Sequence, residues 1–213
     1  GNALSMPFYF LLGGCLFAVT PIVAQLFGAK KYEEIGQKVR EILWVSIALG
    51  LIGFILYRNL SFFIPFFDID ENIALISDGY LKAMSYGFIA NMIFTCLRCY
   101  SEGMGLTLPV FWVAFIGLLL NIPLDIIFVY GYFGIPPMGG VGCGIATSIN
   151  IVIGVIVLML VILKKKEYAP TKIFSKFSLP NSETTKEALK LGLPIGFGVF
   201  VELSMFSGAA LIL

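Results

Sequence analysis

The sequence predicts an all-α, polytopic membrane protein with six transmembrane helices, and three observations carry that reading. Hydrophobic residues make up 59% of the chain and charged residues 13%, where a soluble domain carries about 25% charged residues. The apolar residues gather into runs of spanning length, since about 20 of them cross roughly 30 Å of hydrocarbon at 1.5 Å per residue. Finally, the basic residues separate by side. If successive runs alternate, the connections 30–41, 98–107 and 164–190 fall together and hold all of the fourteen Lys and Arg residues except Arg58 and Lys82. An excess of Lys and Arg marks the cytoplasmic side.

The elements follow in order. Residues 1–29 contain no charge and form the first expected span. They are too long an apolar run for a signal peptide and lack its basic flank. The second span covers 42–64, followed by the acidic outer connection Phe67-Asp-Ile-Asp-Glu71. The third covers 74–97, the fourth 108–130 and the fifth 139–163, with the uncharged Gly/Pro turn 131–140 between the last two. Residues 164–190 form a longer, polar, Pro-bearing connection, which reads as a linker between two bundles. Its end, Ser182 to Lys190, suits a capped amphipathic turn leading into the sixth span at 191–213. The chain opens without Met and ends within an apolar run, so we expect a piece of a longer protein. The expected division is 1–163 for five helices of one lobe, 164–190 for the cytoplasmic linker and 191–213 for the first helix of a second lobe.

Several residue classes have structural readings. Gly13, Gly14, Gly50, Gly53, Gly140, Gly142 and Gly144 let helices approach closely in lipid. Trp44, Tyr57, Trp112 and Tyr132 lie near span ends, where aromatic belts form. Cys96 and Cys99 form a C-x-x-C, but there is no second pair and no His in the chain, so a zinc site lacks ligands. Without His, and without a G-x-S-x-G, P-loop or H-E-x-x-H pattern, an enzyme is not expected. The basic inner connections need no nucleic acid to explain them.

Two carboxylates inside apolar runs point to function. A charged carboxylate at a helix centre costs about 2.5–3.5 kcal/mol to insert, so Asp125 and Glu202 demand a use. Asn121 lies four residues before Asp125 and shares its helix face. Pro123 has no N–H to donate and leaves the Leu119 carbonyl without its usual partner. Carboxylate, amide oxygen and freed carbonyl would suit a hard cation such as Na⁺, or a proton. The alternative is a Pro kink whose polar groups satisfy one another. Thr147, early in the next span, could add a hydroxyl to the same cavity or bond back to its own helix. Glu202 follows Gly192-Leu-Pro-Ile-Gly-Phe-Gly198, a stretch that permits bending and close packing. A midspan Glu holds either a proton or a cation such as Na⁺; the alternative is a structural pairing with another polar group.

Pro21-Ile-Val-Ala-Gln-Leu-Phe-Gly-Ala29, Arg98-Cys-Tyr-Ser-Glu-Gly-Met-Gly-Leu-Thr-Leu-Pro109, Asn121-Ile-Pro-Leu-Asp125, Gly139-Gly-Val-Gly-Cys-Gly-Ile-Ala-Thr147 and Gly192-Leu-Pro followed by Glu202 occur in this order. Together they resemble the multidrug and toxic compound extrusion (MATE) transporters, in particular the bacterial NorM-type branch. The resemblance implies a twelve-helix protein of two six-helix lobes, of which this chain is the second to seventh helices. It implies a monomer in the bacterial inner membrane that exports cationic and amphipathic drugs and dyes by alternating access, with Na⁺ or H⁺ as coupling ion. By motif, Asn121 and Asp125 fall on the first-lobe cation site, Glu202 on the second-lobe site, and Thr147 matches less closely. The alternatives are a lipid-linked oligosaccharide flippase of similar build, for which a basic interior would be expected, and a channel or membrane scaffold.

Overall fold

Every regular element among the described residues is helical: α1 (Asn2–Gly14), α2 (Val19–Gly28), α3 (Tyr32–Asn59), α4 (Glu71–Gly103), α5 (Thr107–Tyr130), α6 (Gly139–Lys164) and α7 (Ser182–Ile212). Single 3-10 turns occupy Cys15–Ala18 and Lys166–Thr171. The computed structural model describes residues 2–60, 71–175 and 178–212, with side-chain surroundings given for 8–60, 73–175, 178–202 and 205. Most of the acidic connection expected at 67–71 lies outside the described residues.

Six expected spans correspond to seven helices because the first is broken by the 3-10 turn Cys15–Ala18. Among the described residues, four spans are long and apolar enough to cross a membrane: Phe8–Gly28, Tyr32–Asn59, Thr107–Tyr130 and Gly139–Lys164. Helices α4 and α7 have the length, at 33 and 31 residues, but carry charge. In α4 Lys82 pairs with Asp78 and Arg98 with Glu102, each at 2.7 Å.

Helix α4 is the hub of the packing: α3, α6 and α2 lie against it, α5 lies mainly on α6, and α7 lies on α1 and the adjoining 3-10 turn. The core runs through Leu16, Val19, Ile35, Ile42, Met92 and Leu158. On the outside, α5 exposes Phe111, Trp112, Phe115, Leu118, Leu119 and Ile122, an apolar face suited to hydrocarbon. Small residues make the closest crossings, as expected. A Cβ on Gly14 would fall on the Gly196 backbone of α7, and one on Gly192 would strike the Cys15 backbone. Tyr57 departs from the interfacial reading: it is buried, with its ring 4.7 Å from that of Phe88 in α4. Its partner lies 31 positions away in sequence and is brought near only by the packing of α3 on α4.

The connection between α6 and α7 is packed rather than draped. Tyr168, Thr171 and Ile173 are buried against α3 and α4. The Tyr100 and Thr171 hydroxyls share a hydrogen bond at 2.7 Å, and the Ser101 and Tyr168 hydroxyls share another. Gly36 of α3 leaves room for the Thr171 carbonyl. Arg40 donates to the Lys172 carbonyl and to the Ser178 hydroxyl, both at 2.9 Å. The Trp44 indole donates to the Ser178 carbonyl at 3.0 Å. Asn181 then caps α7, its side-chain oxygen accepting from the Glu183 N–H at 3.0 Å.

Candidate cation and ligand site

A four-residue rhythm selects the inner face of α5. Val113, Gly117, Asn121 and Asp125 are buried or half-buried, while Leu118, Leu119, Leu120, Ile122 and Pro123 are exposed. Residues four apart stack on one side of a helix, so apolar exposure and polar shelter separate cleanly. The freed Leu119 carbonyl belongs to the exposed side with Pro123, away from this face.

Helix α6 runs back along that face. It is held to α4 by the Ser148 hydroxyl, which donates to the Ala83 carbonyl at 3.0 Å beside Gly87. With Ser148 turned to α4, its neighbour Thr147 turns toward α5. Asn121, Thr147 and Asn150 line one cavity of about 360 Å³, closed on the α4 side by Asn91 and Phe94. Gly117 lies at the Asn150 amide, where an added Cβ would stand 3.8 Å from both its oxygen and its nitrogen. One turn further along α5, the Asp125 carboxylate lies near Cys143 of α6, which is itself one turn from Thr147. Tyr80 of α4 stands near the same carboxylate.

Two oxygens in this line are buried with no hydrogen-bond partner, Asp125 Oδ1 and Asn150 Oδ1. Buried acceptors left unpaired cost about 1–3 kcal/mol each, so a proton or cation arriving there would recover that penalty. The donors are hard oxygens with a single negative charge among them, apart from the Cys143 sulfur. No group of three or more His, Cys, Asp or Glu residues suits a metal ion among the described residues. One carboxylate with neutral amide and hydroxyl oxygens fits a monovalent ion or a proton better than a divalent metal.

Asn121 and Thr147 therefore share one cavity between α5 and α6, while Asp125 lies on the same face of α5 one turn beyond it. Glu202 does not join them: it is exposed on α7, which packs on α1. Sequence reasoning missed Asn91, Asn150, Cys143 and Tyr80. Asn150 had a signal, because it lies three residues beyond Thr147 on the same helix and so on the same face. Asn91 and Tyr80 had none, since their relevance depends on how α4 lies across the α5–α6 pair.

The MatE family model matches residues 1–127 of the chain. Over all 213 residues the chain is 37% identical to the probable multidrug resistance protein NorM of Acinetobacter baylyi, covering 47% of that protein. It is 38% identical to the multidrug resistance protein NorM of Vibrio cholerae over 93% of this chain and 44% of that protein. Among solved structures, the MATE transporter NorM-NG in complex with rhodamine 6G and a monobody is similar with a TM-score of 0.69 and 30% identity, covering 97% of this chain and 45% of that one. The chain thus spans about half the length of the curated relatives it matches.

Proposed function

The chain belongs to the MatE family, and on that premise we propose that it is part of a cation-coupled multidrug efflux transporter of the bacterial inner membrane. The observation that carries the coupling is the polar line between α5 and α6, where Asp125 and Asn150 each hold a buried oxygen without a partner. Na⁺ or H⁺ would be held by the Asp125 carboxylate, with the Asn121 and Thr147 oxygens about one turn away as the nearer neutral donors; the unpartnered Asn150 oxygen lies a further turn along the same line. Glu202, on a different helix, would serve as a second, separate cation switch in concert with parts of the protein outside this chain.

In this reading the cycle is alternating access between two lobes. A cation and a drug exchange because each binds one state better than the other; that difference in affinity is the whole of the coupling. Cationic and amphipathic drugs would be accommodated by apolar area and aromatic faces such as Phe94, which attract flat cations without exacting hydrogen-bond geometry.

The test is ethidium efflux by cells expressing the full-length protein under an imposed Na⁺ gradient or an imposed proton gradient. Efflux should respond to one gradient, and Asp125→Asn and Glu202→Gln should each blunt that response. Unchanged efflux and unchanged ion dependence in both variants would overturn the coupling.

A further inference from the structure

We propose that the turn between α5 and α6 is an interfacial anchor: the Phe133 ring, with Tyr130 and Tyr132 beside it in sequence, sits at the headgroup level of the membrane face opposite the lysine-rich connections. The anchor rests on the membrane spans alone; only its use in ion coupling rests on the efflux reading.

The turn is tied down by its own backbone. The N–H groups of Gly131 and Tyr132 both donate to the Ile127 carbonyl at 3.1 Å, closing the end of α5. Ile135 N–H donates to the Tyr132 carbonyl and Met138 N–H to the Phe128 carbonyl, each at 3.2 Å. Gly131 is crossed so closely that an added Cβ would stand 2.6 Å from the Pro137 nitrogen.

Within this tight turn Phe133 has left-handed backbone, φ +57°. A bulky residue is strained there, and glycine would relieve it. The ring is nevertheless 90% exposed, so packing among the described residues does not offset the strain. Contact with an apolar partner outside them would.

The course of α5 selects lipid as that partner. Phe115, Leu119, Ile122, Ile126 and Tyr130 are all exposed and recur every three or four residues, one apolar stripe that leads straight into the turn. Tyr132 and Phe133 continue it past the helix end, both exposed. Neither an acidic nor a basic residue occurs from Ile126 to Leu163. With no charge to set the level of this end, aromatic rings are what remains to set it, and they favour the membrane–water interface. Asp125 precedes Tyr130 by five residues, about 7.5 Å along the helix. Holding the rings at headgroup level therefore holds that carboxylate at a fixed depth beneath it.

A tryptophan placed at the tip reports its surroundings. Phe133→Trp and, as a reference at the middle of α5, Leu119→Trp are made in the full-length protein and reconstituted in phosphatidylcholine vesicles, and the wild-type emission is subtracted. Lipids brominated near the head or near the end of the acyl chain quench by depth, and acrylamide quenches from water. Near-head bromines should quench Phe133→Trp about twofold or more better than chain-end bromines, with the order reversed for Leu119→Trp. Acrylamide quenching as strong as for free tryptophan would place the turn in water and overturn the anchor. Quenching by neither agent would mean that protein covers the ring, which overturns it as well. Separately, Phe133→Gly should leave the thermal midpoint unchanged or raise it, since strain is lost and no packing is; a clear fall would show that the ring packs against protein. Interfacial quenching in a protein whose efflux ignores both ion gradients would keep the anchor and remove only its use in coupling.

Discussion

Gly14 of α1 and Gly196 of α7 meet backbone to backbone, so closely that a Cβ on Gly14 would fall on the Gly196 backbone. Because neither residue has a side chain, the two helices pack by main-chain contact, which in lipid substitutes for the missing hydrophobic drive.

Gly196→Leu should therefore destabilise the full-length protein by about 1–3 kcal/mol, the usual range for overpacking. Gly198 is two residues on, where an added Cβ meets nothing within 4 Å. Gly198→Ala should leave the thermal midpoint in detergent unchanged or slightly raised, since Ala favours helix over Gly. Equal losses in both variants would show that the crossing does not depend on close approach.

Tyr168 makes an alkaline prediction. Burial pushes its phenol up from the ordinary value of 10.0, the Ser101 hydrogen bond opposes that, and the charge of Glu167 adds to it. A folded-state pKa above the unfolded one means the neutral phenol stabilises the fold fully below about pH 10, and that contribution is lost as pH rises through the folded value. Tyr168→Phe should cost about 1 kcal/mol at neutral pH, one hydrogen bond. It should also flatten the fall of the melting midpoint above pH 10. An identical alkaline profile in the variant would assign that fall to other groups.

Asp125 and Asn150 each offer an unpartnered buried oxygen, but only the carboxylate carries charge. Charged hydrogen bonds contribute about 1.5–3 kcal/mol and neutral ones about 0.5–1.5. Asp125→Asn should thus raise the Na⁺ concentration for half-maximal efflux about tenfold to a hundredfold, or abolish the response where the proton is the coupling ion, and Asn150→Ala should shift it severalfold at most. Equal shifts would mean that charge is not what holds the ion.

How much was legible in the sequence depended on whether a feature is local. The four-residue spacing of Asn121 and Asp125 is a property of one helix, and it put both on the inner face of α5. Features made by distant partners were not legible. Glu41, grouped by sequence with the basic inner connection, is buried at 3% exposure, accepting from Gln37 at 3.0 Å with its other oxygen unpaired. The connection after α6 reads as a polar linker because its buried residues Tyr168, Thr171 and Ile173 are scattered among lysines. Its hydrogen-bond partners Arg40, Trp44, Tyr100 and Ser101 lie on α3 and α4, far away in sequence. The 3-10 turn at Cys15–Ala18 interrupts an apolar run whose composition shows no break. Helix α7 begins at Ser182, nine residues ahead of its apolar stretch at 191, because the charged turns before that stretch are helical as well.

The antiparallel course of α5 and α6 makes their shared face a ladder. Asp125 stands by Cys143, Asn121 shares the cavity with Thr147, and Gly117 lies at Asn150. What fixes the alignment of these rungs is a backbone contact below them: a Cβ on Gly142 would stand 2.3 Å from the Phe128 carbonyl oxygen. A slide of one turn, about 5.4 Å, would carry Ala146 into that place, so the glycine that lets the helices touch also keeps Asp125 at Cys143 and Asn121 at Thr147.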